Sequence, residues 1–90
     1  MKLKYDFVIN NVAGSALAVP VGKGAKDFKG YIKLNDTAAY IFGGLQKGDS
    51  REVIVAGLLK EFTDVTEAEA AAATDAFIEE LKQANVLEDE

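Results

Sequence analysis

The chain has 90 residues and a net charge of −5, with 49% hydrophobic and 28% charged residues, proportions typical of one small folded domain. Cysteine and histidine are both absent, which removes disulfides, thiolate nucleophiles, the commonest general base and the commonest metal ligand. No signal-peptide pattern and no run of about 18 apolar residues occurs, so we expect a cytoplasmic protein without a membrane partner.

Charge is divided unevenly along the chain. Residues 1–35 carry six lysines against two aspartates, a net charge of +4, whereas residues 36–90 carry four basic and thirteen acidic residues, a net charge of −9. The imbalance favours solubility. It also offers two surfaces of opposite sign that can select different parts of a partner.

The first two predicted strands come before residue 22. The first has an apolar face that alternates with polar residues and consists of Leu3, Tyr5, Phe7 and Ile9. A turn is expected at Asn10 and Asn11, with Gly14 close behind. The second strand places Leu17, Val19 and Val21 on one face. It should end or lie at an edge near Pro20, because proline cannot donate a hydrogen bond to a neighbouring strand.

The third predicted strand covers residues 28–34. Its inward-facing residues are predicted to be Phe28, Gly30, Ile32 and Leu34. Its outward-facing residues are Lys29, Tyr31 and Lys33, and outer lysines commonly protect an exposed sheet edge from aggregation.

Three helices are predicted after the strands, each with a start signal. Asn35 or Asp36 caps the first helix, whose end is weakened by Gly43 and Gly44. Asp49 or Ser50 starts the second, with an apolar stripe of Val53, Ala56, Leu59 and either Leu58 or Phe62.

The third helix has the clearest signals. Thr66 and Glu69 form a capping-box pattern, and the helix should reach about Ala84. Its predicted core stripe consists of Ala70, Thr74, Phe77, Ile78 and Leu81. Val86 and Leu87 should then pack back onto the domain. Strands followed by helices indicate an α+β fold, with an antiparallel sheet covered on one face by three helices.

No constellation of residues predicts an enzyme, a metal site or a cofactor site. The carboxylates on the third helix are most simply a solvated face, because acid–base catalysis needs carboxylates whose pKa values are separated by burial. Gly22-Lys23-Gly24 leads into a strand and not into a helix, so it lacks the geometry of a phosphate loop. Ser50 is better explained as a helix cap than as the modified serine of a carrier protein.

The exposed edge of the third strand leaves three hypotheses. An extended peptide can add to it as a further strand. The same edge can pair with a second copy of the chain, which makes a structural or dimerisation module. Three helices beside a small sheet can also be a winged-helix nucleic-acid binder. The last is disfavoured, because the third helix carries five acids against Lys82 alone and phosphates would repel it.

From Leu34 onward the sequence resembles the PqqD family, the peptide-recognition domains of ribosomal natural-product pathways, also called RiPP recognition elements. The matching segments are Leu34-Asn35-Asp36-Thr37-Ala38-Ala39-Tyr40-Ile41-Phe42, Gly48, Val53-Ile54 with Leu58-Leu59 and Phe62, Asp64-Val65, Thr74-Asp75 with Phe77-Ile78 and Leu81, and Asn85-Val86-Leu87. About 55 residues agree, whereas the first 30 agree only in strand content. Gly43-Gly44 and Asn85 depart from the family pattern.

The resemblance implies a winged-helix-like fold and a peptide-binding adaptor without catalytic activity. In that family a leader peptide docks as an extra strand on the third strand, beside the third helix. Carried onto this sequence, the implied binding residues are Lys29, Gly30, Tyr31, Ile32, Lys33, Leu34, Ala70, Ala73, Thr74, Phe77, Ile78 and Leu81. The implied second partner is a separate modifying enzyme, commonly a radical SAM enzyme.

Overall fold

Strands come first and helices follow in the computed structural model, which describes residues 2–23, 26 and 30–88. The strands are β1 (Lys2–Leu3), β2 (Asp6–Val12), β3 (Ser15–Val21), β4 (Ile32–Leu34) and β5 (Leu87–Glu88). The helices are α1 (Asp36–Lys47), α2 (Arg51–Glu61) and α3 (Glu67–Gln83). The predicted α+β order, a three-stranded antiparallel sheet followed by three helices, is confirmed.

β2 and β3 form an antiparallel hairpin, and its turn is not where the sequence predicted it. The pairing runs from Asp6 opposite Val21 to Val12 opposite Ser15. Asn10 and Asn11 lie inside β2, so the predicted turn there is wrong. The actual turn consists of Ala13 and Gly14, which both have positive φ angles, 51° and 81°. Two consecutive positive φ values match the twist of adjacent strands in a two-residue hairpin turn.

β4 is shorter than predicted, because it pairs with β3 only over three residues. Ile32 lies opposite Ala18, and Leu34 lies opposite Ala16. Gly30 was predicted to face inward on this strand, but it is exposed, lies outside β4 and has a φ of 107°. That backbone conformation interrupts an extended strand and is tolerated by glycine, which lacks a Cβ. The predicted Phe28 and Lys29 lie outside the described residues.

The two ends of the described chain meet in a second, two-stranded sheet that the sequence did not predict. The first predicted strand is divided at Lys4 and Tyr5 into β1 and β2. β1 pairs antiparallel with β5, with Leu3 opposite Leu87, and the Lys4 N–H donates to the carbonyl of Val86 (2.9 Å). The packing-back of Val86 and Leu87 is confirmed, since both are buried.

Each helix begins at a side-chain cap. The Oδ1 of Asn35 accepts a hydrogen bond from the Ala38 N–H (2.8 Å) at the start of α1, and the Oγ of Ser50 accepts from Val53 (3.2 Å) at the start of α2. Thr66 forms the predicted capping box of α3. Within residues 2–23, 26 and 30–88, no helix combines the length and the apolar character needed to cross a membrane.

The two glycines of α1 do not end the helix, which continues to Lys47 and finishes at Gly48 in the left-handed conformation. A Cβ on Gly44 would lie 2.8 Å from the Cγ1 of Ile54. Gly44 therefore lets α2 approach α1 closely. The helix continues through both glycines because packing against α2 favours the close approach at Gly44, and the predicted weakening of the helix end stays a prediction.

The core confirms the predicted face of α3 and corrects that of α2. All five residues of the predicted α3 stripe are buried. On α2 the buried side chains are Ile54 and Leu58, whereas Val53 is 55% exposed and Ala56 is also exposed. The reason is the approach of α1, whose Tyr40 hydroxyl occupies the space beside Gly57 and so selects the face that α2 turns inward.

Candidate functional site

A cleft lies between β4, the beginning of α1 and the middle of α3. It has a volume of about 330 Å³. The residues that line it are Lys33, Asn35, Thr37, Ala38, Ile41, Ala73, Ala76, Phe77 and Glu80. Segments that are distant in sequence therefore form one concave surface, with a strand end on one side and a helix on the other.

The cleft is lined by both apolar and polar side chains, and its two charged residues, Lys33 and Glu80, belong to different walls. Ile41 and Phe77 are buried core residues and form its floor. Ala73 and Ala76 on α3 are small, so a bound chain can come close to the helix backbone at these positions. A concave apolar surface with a few polar groups is the usual character of a binding site.

Two neighbouring depressions extend the cleft in opposite directions. One, of about 480 Å³, shares Lys33 and Asn35 with it and extends toward the β2–β3 turn. The other, of about 250 Å³, shares Thr37 and Ala73 with it and extends toward Phe62 at the end of α2. The three depressions share lining residues and therefore adjoin one another, from the β2–β3 turn to the end of α2.

The strand wall of the cleft is an unpaired sheet edge. β4 pairs with β3 on one side, and no other described strand pairs with its second edge. In an antiparallel ladder, alternate backbone N–H and C=O groups point to opposite edges of a strand. The groups at the second edge of β4 can therefore pair with another extended chain.

The helix wall is held from inside the core. Thr74 is fully buried, and its hydroxyl donates to the carbonyl of Ala70 (2.8 Å). Phe77 packs edge-on against Phe42, with ring centroids 6.4 Å apart, and Phe42 packs similarly on Phe7. α3 therefore has little freedom to move when a ligand enters the cleft.

Two carboxylates on α3 have lowered pKa values, and both accept hydrogen bonds that stabilise the helix. The guanidinium of Arg51 donates to both carboxylate oxygens of Asp75, the second at 2.9 Å, and this hydrogen bonding lowers the pKa of Asp75. The Thr66 backbone N–H donates to the Oε1 of Glu69 (2.9 Å) and lowers the pKa of that carboxyl. Neither group lines the cleft itself, although Glu69 lines the neighbouring depression that extends toward Phe62. Hydrogen bonds within the fold account for both shifts.

Comparison with known proteins identifies the family. The model of the family described as "Coenzyme PQQ synthesis protein D (PqqD)" matches residues 10–87. The chain belongs to the PqqD family. A comparison with curated proteins gave no match.

Among solved structures, this PqqD family member is similar to TbiB1 in complex with the TbiA(beta) leader peptide. The TM-score is 0.75 and the sequences are 20% identical, with 100% of this chain and 98% of the TbiB1 chain covered. At this identity the likeness shows a shared fold. The likeness in fold covers the whole chain, including β1 and β5.

The family-derived site residues of this PqqD family member fall into three groups. Lys33, Ala73 and Phe77 meet at the cleft. Five others lie in the core behind it and support its walls: Leu34, Ala70, Thr74, Ile78 and Leu81. Gly30 and Tyr31 are exposed before β4 begins, Ile32 is half-buried on β4, and Lys29 lies outside the described residues.

Six lining residues are not among the twelve family-derived site residues. On α3 they are Ala76 and Glu80, which follow Ala73 and Phe77 at helical spacings of three, so helix periodicity could have found them. The others lie between β4 and the middle of α1: Asn35, Thr37, Ala38 and Ile41. They match the family pattern as a helix start, but no local signal places that start against α3.

Asn85, one of the two departures from the family pattern, lies in the turn that follows α3. It follows α3 with a φ of 65°, the left-handed conformation that asparagine tolerates better than most residues. The chain reverses there, so that Val86 can accept from Lys4 and β5 can pair with β1.

Proposed function

We propose that this chain is a peptide-binding adaptor that captures the leader of a ribosomally made precursor peptide by strand addition. The observation that carries the proposal is the unpaired edge of β4 beside the apolar cleft on α3. Membership of the PqqD family supports it. So does the likeness in fold to TbiB1, whose solved structure contains a leader peptide.

In the proposed complex, the leader lies in the cleft as a fourth strand of the sheet. Its backbone pairs with the free N–H and C=O groups of β4, which supply affinity for any extended chain. Alternate side chains point toward Ala73, Ala76 and Phe77, which supply selectivity. The buried residues behind them keep α3 in place, so the cost of ordering falls mainly on the peptide.

We also propose that the chain itself carries out no catalysis and presents the leader to a separate modifying enzyme, commonly a radical SAM enzyme in this family. An adaptor of this kind works by raising the effective concentration of the substrate near the enzyme. A cytoplasmic location, where ribosomal peptides are synthesised, fits this role.

The test is an amide chemical-shift titration with the leader segment of a precursor peptide encoded beside this gene. We expect shifts in β4 and in residues 73–80 of α3, saturating with the peptide. Ala76→Phe should abolish them by filling the cleft. Ala72→Phe is the matched control, because Ala72 is exposed on the same helix and does not line the cleft. Unchanged spectra with a precursor that a neighbouring enzyme modifies would refute the proposal.

Self-association through the same edge is the second candidate function, and the same unpaired strand motivates it. Two copies paired through β4 would share at most three residues each, and the apolar cleft would still be unoccupied. Sedimentation measurements distinguish the two functions. A dimer predicts a mass that rises with concentration and a leader peptide that dissociates it, whereas an adaptor that binds only peptide remains a monomer.

A further inference from the structure

Two side chains of opposite charge border the cleft. Lys33 belongs to β4, whereas Glu80 belongs to α3, and the apolar floor lies between them. Neither forms an ion pair within the part of the chain that the structure describes. By contrast, the other acid of α3 that faces a neighbouring helix, Asp75, is paired with Arg51. The two charges at the cleft are therefore available to a ligand.

The geometry of strand pairing determines which residue of an added strand lies beside Lys33. Ile32 and Leu34 face the core, and Lys33 alternates with them along β4. A residue of an added strand directly opposite Lys33 has its side chain on the same face, with Cβ atoms about 4.5–5.5 Å apart, where opposite charges attract. The residues on either side of it in the peptide point toward α3.

The position of Glu80 on α3 determines which residue of the peptide lies beside it. Along α3, Glu80 lies four residues after Ala76, a rise of about 6 Å. A peptide strand running along the helix advances about 6.6 Å in two residues, and residues two apart point to the same face. A peptide side chain placed over Ala76 is therefore followed, two residues later, by a side chain beside Glu80.

We infer, building on the peptide-binding function proposed above, that the cleft selects a segment with a defined order of charge. The segment has an acidic residue opposite Lys33, an adjacent apolar residue seated over Ala73, Ala76 and Phe77, and a basic residue two positions beyond the apolar one, beside Glu80. Lys33 and Glu80 are its specificity-determining residues, and the apolar floor supplies binding without discriminating charge.

The experiment is a selection of displayed random ten-residue peptides against the wild-type chain, four charge variants and the filled-cleft variant Ala76→Phe. Wild type should enrich peptides with the acid–apolar–any–base order, read in one chain direction. Lys33→Glu should replace the acidic preference with a basic one, and Glu80→Lys should replace the basic preference with an acidic one. Each reversal should change the enrichment at its own position by roughly two- to fivefold.

Two exposed residues away from the cleft serve as controls with the same change of charge. Glu79→Lys alters the residue beside Glu80 on α3, and Lys60→Glu alters an exposed lysine of α2. Neither residue lines the cleft, so both variants should select the wild-type charge order. Circular dichroism spectra should be the same for wild type and the four charge variants, because the four substituted side chains are exposed.

The outcomes separate this inference from the function on which it rests. In one outcome, wild type enriches peptides over the filled-cleft variant Ala76→Phe, but Lys33→Glu and Glu80→Lys select the same charge order as wild type. That outcome would overturn the charge selection and leave peptide binding in place. Failure of wild type to enrich any peptide over Ala76→Phe would overturn both.

Discussion

The two walls of the cleft are built in different ways. α3 has 17 residues, a capping box and a buried stripe that joins it to the core. β4 has three residues and depends on pairing with residues 16–18 of β3. One wall is therefore a rigid surface that presents side chains, and the other is a short backbone edge. In the complex proposed above, selectivity would come from α3 and from the exposed Lys33 of β4, whereas strand pairing would supply general affinity.

The largest expected effect is on the free energy of unfolding, and it concerns Phe77, which joins the helix wall to the core. Phe77 is 8% exposed and contacts Phe42 in the centre of the core. Phe77→Ala should lower the free energy of unfolding by about 3–5 kcal/mol, because it removes buried surface and leaves a cavity. Urea denaturation followed by circular dichroism measures this.

The matched control for Phe77→Ala is Glu80→Gln, on the exposed side of the same wall. It should change the free energy of unfolding by less than about 0.5 kcal/mol, as surface substitutions usually do. If the two variants were equally stable, α3 would not be held from inside as the contacts with Phe42 indicate.

The next largest effect concerns Gly30, whose backbone conformation limits the length of β4. Gly30 has a φ of 107°, and a Cβ added to it would meet no neighbouring atom within 4 Å. Gly30→Ala should therefore cost about 1–3 kcal/mol purely through backbone strain. Gly43 has equally open surroundings but lies within α1, so Gly43→Ala should stabilise the protein by up to about 1 kcal/mol. Destabilisation of similar size in both variants would mean that φ is not the cause.

The same contrast explains how much of the fold could be predicted. α3 was predicted closely because its start and its buried face are local features, namely Thr66 with Glu69 and a stripe from Ala70 to Leu81. β4 was predicted too long. Alternation of residue types continues through Gly30, but the φ of 107° at Gly30 interrupts the extended backbone, and β4 pairs with β3 only at residues 16–18 although β3 continues to Val21. Pairing between distant segments has no local signal.

Errors in the helices have a similar origin. The apolar residues of α2 permit more than one buried face. The face chosen depends on the close contacts of Gly44 on α1 with Ile54 and of Gly57 on α2 with Tyr40. The candidate site was predicted in part for the same reason. Ala73 and Phe77 follow from the period of α3, whereas Thr37 and Ala38 line the cleft only because α1 packs beside α3.

A smaller effect concerns the start of the helix wall. The Thr66 side chain accepts from the Glu69 N–H (3.1 Å), and the Glu69 carboxylate accepts from the Thr66 N–H. Thr66→Ala should destabilise the protein by about 1 kcal/mol, because it removes one half of the capping box. Thr66→Ser keeps the hydroxyl and should restore most of the loss in a denaturation experiment. A serine variant as unstable as the alanine variant would contradict the capping role.

The smallest effect is the dependence of stability on pH, and it distinguishes two ways of holding α3. The pKa of Glu69 is lowered by hydrogen bonds from the backbone N–H and the side chain of Thr66, which are neutral groups, whereas the pKa of Asp75 is lowered by the hydrogen bond and charge of Arg51. Because both pKa values are lower in the folded state, the unfolded state binds more protons as the pH falls. The stabilisation is complete above the ordinary carboxyl pKa and is lost as the pH falls through the lowered folded value.

The two contributions should separate in variants and in salt. Urea midpoints measured from neutral to acid pH should depend less steeply on pH in Glu69→Gln and in Asp75→Asn than in wild type, because each variant removes one carboxyl whose pKa is lowered in the folded state. Added salt should reduce the difference between wild type and Asp75→Asn more than that between wild type and Thr66→Ala, since salt screens exposed ion pairs. If salt reduced both differences equally, the capping box would act mainly through charge and not through directed hydrogen bonds. The start of α3 would then be held by the same kind of interaction as its contact with α2.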